Sequence, residues 1–362
     1  MDLLYKPDWE KTKDNYNHWW ARENFGRCAI SVTAPRDKPL YGSAPSLPPK
    51  IEDRWLDIEY LKKSREYNFG ATYYGGEAIP VWNAGYPGWD FIPAYLGCEV
   101  RLMEETGWVS SIYESGELTD YAPEDINLDE NNKWFKFALE IHKLAAKETK
   151  GKSIPGIQAI GGVGDCLGLM RTNEKLLYDL TDCPAHVRKL EMRMMEIWIE
   201  VFERFRGITC EAAEGNTNFM TLWAPDKYYT CANDFAYMIS PLMFEEIFLD
   251  PLQKQIDYLD HSIYHVDGIG NFNHIDILLG IEKLNALQFL PGAGKPSPLY
   301  YAKDLKKIQN AGKNLHISIP ASEVKQALDM LSSKGLFIHT WCESETEAND
   351  LLEYANKWSN WY

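Results

Sequence analysis

Four short apolar runs between residues 262 and 341 decide the fold: SIYHVDG (262–268), NALQFLPGAG (285–294), LHISIP (315–320) and GLFIHTW (335–341). Each has the length and the β-branched or aromatic content of a buried strand. Nearer the N-terminus, CAISVTAP (28–35), GATYYGGEAIPVW (70–82), SIPGIQAIGG (153–162) and NFMTLW (218–223) read as four more. A helical segment separates most neighbours, with the clearest periods at 57–67, 132–148, 172–205 (broken at Pro184) and 241–259. Strands alternating with helices eight times predict an α/β protein whose parallel sheet closes into a (β/α)8 TIM barrel. An open doubly wound sheet is the rival, but the first strand is followed by PRDKPLYGSAP rather than by a G-x-G-x-x-G turn. Trp9, Tyr16 and Trp20 fall on one helical stripe behind Asp8, a helix-capping residue type. The expected organisation is therefore a helical extension over 1–25 and one barrel domain over 26–362. Residues 83–130 are broken by Gly85, Pro87, Gly88, Pro93 and Gly97, with room for a small hairpin within 98–115.

Composition narrows the function. The 362 residues carry a formal charge of -16, which repels phosphate backbones and argues against nucleic acid as a partner. Seven cysteines at irregular spacing, with no Cys-x-x-Cys, suit a reducing compartment better than a disulfide framework. No signal peptide opens the chain, and no run approaches the ~18 apolar residues of a membrane helix. The expectation is a cytoplasmic protein with no membrane partner. Aromatic residues make up 13% of the chain, enough to furnish both a broad core and an aromatic-lined pocket.

Active residues of a TIM barrel sit at the C-terminal ends of its strands, and this sorts the candidates. Alternation puts His265 and Asp267 on one face of the fifth strand. An imidazole and a carboxylate there can hold a divalent metal, orient a general base, or simply brace the barrel. Cys342, after the eighth strand, would complete a set of three zinc-type ligands with one position open; the bland alternative is an inert buried thiol. His339 cannot share the strand face of Cys342 and ranks lower. After the fourth strand, Trp223, Tyr228 and Asp234 read as a pocket wall with polar handles, or as ordinary loop packing. Near the second strand, Glu77 is a candidate acid or base, and Trp82, Tyr86 and Trp89 a candidate aromatic platform or core rings. GGVGDCLG (161–168) has glycines suited to close approach of a ligand, but Asp165 at its centre would repel phosphate. His261 and His274 read as helix-end or surface histidines.

The order of these features resembles the uroporphyrinogen decarboxylase-like superfamily from about residue 25 onward. The most specific local matches are the SPLMFEE helix start (240–246) and the DLTDCPAHV turn (179–187). That family implies a TIM barrel and one of two chemistries: cofactor-free decarboxylation of a tetrapyrrole, or zinc-dependent methyl transfer to or from a corrinoid. The decarboxylases carry an Arg-rich R-Q-A-G-R motif after the first strand; here the chain reads TAPRDK, with only Arg36 and Lys38. The methyltransferases carry His-x-Cys after the fifth strand and Cys after the eighth; His265 and Cys342 match, and Asp267 stands where the first Cys is expected.

The resemblance therefore implies a methyltransferase with zinc on His265, Asp267 and Cys342, and a corrinoid (cobalamin) carried by a partner protein. The methyl donor or acceptor would be a small ether, alcohol or amine. Trp82, Trp223 and Tyr228 would line its pocket, and Glu77 or Asp234 would supply a proton or orient it. A homodimer is compatible with this reading. The alternatives are a metal-free decarboxylase using His265 and Asp267 as acid and base with Arg36 on a carboxylate, and a non-catalytic ligand-binding barrel.

Overall fold

The computed structural model describes residues 2–83 and 91–361; Gly85, Tyr86, Pro87, Gly88 and Trp89 lie outside the described residues. The strands in chain order are β1 (Ala29–Pro35), β2 (Thr72–Gly76), β3 (Val81–Asn83), β4 (Val100–Leu102), β5 (Gly107–Val109), β6 (Ile154–Gly156), β7 (Asn216–Thr217), β8 (Trp223–Ala224), β9 (Tyr228–Ala232), β10 (His261–Asp267), β11 (Ala286–Leu290), β12 (Asn314–Ser318) and β13 (Leu336–Trp341). Seven form a central sheet in the order β2-β1-β13-β12-β11-β10-β9. Every pairing in it is parallel except β1 with β2. With helices between most of these strands, the architecture is mixed α/β and consistent with a TIM-barrel-like fold. Among the described residues the ladders do not close into a ring: β3 pairs with β6 in a separate two-stranded sheet.

Two of the expected strands differ from their sequence reading. The run 70–82 is the end of a helix (Ile58–Ala71), then β2, then β3. β2 runs antiparallel to β1, with Ser31 opposite Gly76 and Pro35 opposite Thr72. Gly76 lies at φ +59, and a Cβ there would sit 2.1 Å from the Ile30 carbonyl oxygen. The open edge of β2 is covered by the buried Lys6, whose ammonium donates to the carbonyls of Tyr74 and Gly76. The fourth strand is β9, which starts ten residues after the start of NFMTLW; that run instead overlaps a small antiparallel hairpin of β7 and β8. The hairpin expected within 98–115 forms from β4 and β5.

Alternation gives the sheet two faces. Ile30, Val32, Tyr264, Val266, Leu287, Phe289, Leu315, Ile317, Leu336 and Ile338 join the large apolar cluster shared with the helices. Ala29, Ile263, Ala286, Phe337 and Tyr228 point the other way, into a second cluster. The helix Trp9–Trp20 closes that second cluster with Trp9, Tyr16, Trp19 and Trp20. Each ring so buried contributes roughly 1.5–3 kcal/mol. Asp8 stands at the N-cap position of this helix, but its carboxylate makes no cap bond and pairs with Lys6 at 3.0 Å.

Other helix boundaries follow local chemistry. The Asn132 side chain accepts from the amides of Trp134 and Phe135 to start Lys133–Glu148. Pro184 opens the 30-residue helix Pro184–Ala213, separating it from Asn173–Asp182. All seven cysteines are free thiols. No helix among the described residues is long and apolar enough to cross a membrane.

Candidate functional site

The inner face of the sheet turns polar toward the C-terminal ends of its strands. In register across the ladders, His265 faces Gln288, Gln288 faces His316, and His316 faces Phe337. One step further along, Asp267 faces Leu290 and Ser318 faces His339. His265 Nδ1–H donates to the Gln288 side-chain oxygen, a bond that fixes the tautomer and orientation of the ring.

Asp234 joins them from the next strand over. It follows Ala232, the end of β9, and opens the short helical segment Asp234–Met238. Ligand atoms of Asp234, His265 and Asp267 all lie within 4.8 Å of one another. Burial raises the Asp234 carboxyl above its ordinary range; the Asp267 charge adds to this and His265 opposes it. The two carboxylates and the imidazole line a cavity of about 240 Å³, together with Gly161, Gly162, Asp165, Phe219, Thr230 and other neighbours.

The loop 161–165 holds this arrangement from below. The Asp165 carboxylate accepts the amide hydrogens of Asp234 at 3.1 Å and Phe235 at 2.8 Å. The Val163 amide donates to the Ala232 carbonyl. A Cβ on Gly162 would come within 2.2 Å of the Asp165 carboxylate and 2.7 Å of the Ala232 oxygen, so only glycine allows this approach. On the β10 side, Asn271 donates to the Asp267 carbonyl at 2.7 Å. The Tyr237 ring lies close enough to Gly268 and Gly270 that a Cβ on either would meet it at 3.0 and 2.6 Å.

Of the residues expected from sequence, His265, Asp267 and Asp234 come together here; the others lie elsewhere. Cys342 is one residue out of phase with the inner face. Its side chain is 1% exposed in the outer apolar cluster, its amide donates to the Thr33 carbonyl, and burial pushes its thiol up to about 11. His339, ranked below it from sequence, shares the inner face: its ring is 6.3 Å from that of His316.

Glu77 is carried to the opposite end of the sheet by the antiparallel β2. It is fully buried and held by both Arg27 guanidinium nitrogens, by Asn15 and by the Ile30 amide. Burial alone would raise its carboxyl, but the Arg27 charge and these hydrogen bonds win and hold it below the ordinary range. Trp223 and Tyr228 precede β9 or begin it, so they also lie at the far end. The Trp223 ring packs edge-on against Trp9, and Tyr228 meets Trp20. Trp82 packs in a third cluster with Tyr5, Leu61 and Phe69. Arg36 reaches the Thr72 carbonyl and lines a separate cavity of about 450 Å³ with Asp8, Tyr73 and Glu345. His274 stands at a helix end, as the last residue of the segment Ile269–His274, but it is not a surface residue: it is 1% exposed, with Nε2–H donating to the Ala236 carbonyl.

Sequence reasoning passed over Gln288 and His316. Each is a polar residue at an inward-alternating position of an apolar strand, LQFL and LHIS, and that alternation was the available signal. His316 is 2% exposed, and neither ring nitrogen has a hydrogen-bond partner among the described residues. Burial, with His339 and His265 nearby, drives its imidazole well below its ordinary value.

No family model matches the sequence, and no curated protein does. Among solved structures, a methyltransferase from Methanosarcina mazei superposes with a TM-score of 0.61 at 12% identity, covering 96% of this chain and 98% of its own. At that identity the likeness is one of fold, along nearly the whole length of both chains.

Proposed function

We propose that this chain is a methyltransferase of the uroporphyrinogen decarboxylase-like superfamily. It would be a single barrel-type domain with residues 1–25 as its extension, acting at the pocket of Asp234, His265 and Asp267. The observation that carries the proposal is the convergence of these three side chains at the C-terminal end of the sheet, in a fold shared with a methyltransferase. The substrate would be a small methylated ether, alcohol or amine, and the methyl partner a corrinoid on a second protein.

The donor set of two carboxylates and one imidazole suits a divalent ion, zinc included. It departs from the thiolate site that the family resemblance implies, because Cys342 faces the other layer. Asp234, His265 and Asp267 would hold the ion. When bound, it supplies Lewis acidity that weakens the bond between the methyl carbon and its heteroatom. The chain's part is orientation. Gln288 fixes the His265 tautomer and the orientation of its ring beside the carboxylates. Asp165 fixes Asp234 through its backbone. Tyr237, beyond the end of β9, and Trp341, the last residue of β13, are both more than half exposed and would leave apolar surface for a docking protein.

Decarboxylation through His265 and Arg36 is less well supported, since Arg36 lines a different cavity. The test is methylation of reduced cobalamin, supplied free as a surrogate partner, with a panel of methylated ethers, alcohols and amines, followed by absorbance. Turnover with one class, lost in His265→Ala, supports the proposal. No turnover with any class, in protein that binds these compounds, favours a non-catalytic barrel.

A further inference from the structure

We infer that Tyr237 is a positioning residue of this pocket: its ring clamps the segment that carries Asp234 onto the segment that carries Asp267, and so sets the distance between the two carboxylates. The inference rests on that pocket being the site proposed above. Four consecutive residues at the start of the segment Asp234–Met238 are tied down, and to two different places. The amides of Asp234 and Phe235 donate to Asp165 in the loop 161–165. The next two residues are tied to the segment that follows β10. The Ala236 carbonyl accepts from the buried His274 at 2.8 Å, and the Tyr237 ring lies against Gly268 and Gly270. Only this second pair of ties crosses from one carboxylate to the other. His274 stands seven residues beyond Asp267, whereas Gly268 is its neighbour in the chain, so Tyr237 makes the shorter path.

The glycines make room for the ring. A Cβ on Gly268 would lie 3.0 Å from Tyr237 Cε2, and one on Gly270 would lie 2.6 Å from it. Gly268 also has φ +77, which favours glycine on backbone grounds. Gly270 has no positive φ, so the close approach of the ring is what excludes a side chain there. Ring carbons Cδ2, Cε2 and Cζ make the contact, which leaves the hydroxyl out of it. A tyrosine ring is rigid and has few torsions to freeze, so it holds a spacing at small entropic cost. Gly268 passes the constraint on. Its amide donates to the Leu290 carbonyl at 2.8 Å, and its carbonyl accepts the Asn271 amide at 3.2 Å. Asn271 Nδ2 in turn donates to the Asp267 carbonyl. Loss of the ring would therefore be felt at Asp267 through the backbone, as well as at Asp234.

The test joins a readout of the contact to a readout of the site, in the full chain. In a double-mutant cycle, Gly270→Ala should lower the Tm of the wild type, where its methyl meets the ring, and should not lower that of Tyr237→Ala, where the ring is gone. Hydrogen exchange in Tyr237→Ala should speed up about tenfold or more in both segments, at the Phe235 amide and at the Gly268 and Asn271 amides. Zinc affinity, measured by chelator competition, should fall about tenfold or more in the same variant. Tyr237→Phe, which keeps the ring, should restore both. Tyr237→Leu, which has bulk but no flat ring, gives the same readings as alanine should the alanine variant not fold. An equal effect of Gly270→Ala in both backgrounds would overturn the inference. So would faster exchange confined to Asp234–Met238, or wild-type zinc affinity in a folded Tyr237→Ala. A wild type that takes up no zinc but shows the cycle and the coupled exchange sinks only the metal site, whereas a zinc-binding wild type without them sinks only the clamp.

Discussion

His265 and Gln288 are register partners on adjacent parallel strands, and the His265 Nδ1–H donates to the Gln288 side-chain oxygen across the ladder. The bond constrains the tautomer and ring orientation of His265, and so gives Gln288 control over a residue that the pocket uses.

Replacing Gln288 with leucine should leave the fold intact and lower divalent-metal affinity by about 10–100-fold, the usual range for losing such an outer partner. Competition against a chromophoric chelator measures it. Gln288→Glu, which keeps an acceptor, should retain most of the affinity.

Glu77 should behave as a structural group. Breaking a buried ion pair by removing one partner costs roughly 3–5 kcal/mol, so Glu77→Gln should lower the Tm while metal content stays unchanged. The pH dependence has a definite sign. The folded-state carboxyl lies below its ordinary value, so its contribution is complete above the unfolded pKa and is lost as pH falls through the folded one. Acid titration of the fold should show a wild-type loss of stability on that side which is reduced in Glu77→Gln.

Glu191 has the opposite sign. It is buried in the helix Pro184–Ala213, accepts one hydrogen bond from the Gly164 amide at 3.0 Å, and burial raises its carboxyl to about 7. A raised folded value means that its contribution is complete below the unfolded pKa and declines as pH rises through about 7. Glu191→Gln, neutral throughout, should therefore gain stability relative to wild type between pH 5 and 8, on the order of 3 kcal/mol at the upper end. Denaturant midpoints across that range check it.

Gly162→Ala should damage the site from beneath. The added methyl would meet the Asp165 carboxylate and the Ala232 carbonyl, and overpacking of this kind costs about 1–3 kcal/mol. Because Asp165 holds the Asp234 backbone, metal affinity should fall with stability, as isothermal titration would register.

Most strands could be read from the sequence because their apolar runs are short, separate and rich in Val, Ile and Phe; β10, β12 and β13 each lie within a residue or two of the expected bounds, whereas β11 ends at Leu290, four residues before the expected Gly294. The reading failed where periodicity carries no direction. Residues 70–82 have strand character throughout, but nothing in a period of two says that Thr72–Gly76 runs antiparallel to β1, and that reversal takes Glu77 to the far end. Trp223 and Tyr228 were misplaced because NFMTLW is as apolar as the true strand YYTCA. His265 and Asp267 were legible from alternation alone. Asp234 could be named only as a loop residue, since its approach depends on the Asp165 bonds, a contact between segments some seventy residues apart. Cys342 was favoured by residue type, whereas the parity of β13 turns His339 inward and Cys342 outward.

The most direct measurement is the metal content of wild type, Asp234→Ala, Asp267→Ala and Cys342→Ala, each purified without chelator and reloaded with zinc. The account predicts about one ion per chain in the wild type and in Cys342→Ala, and loss in both aspartate variants. Retention in the aspartate variants with loss in Cys342→Ala would contradict it, and so would a wild type that takes up no metal.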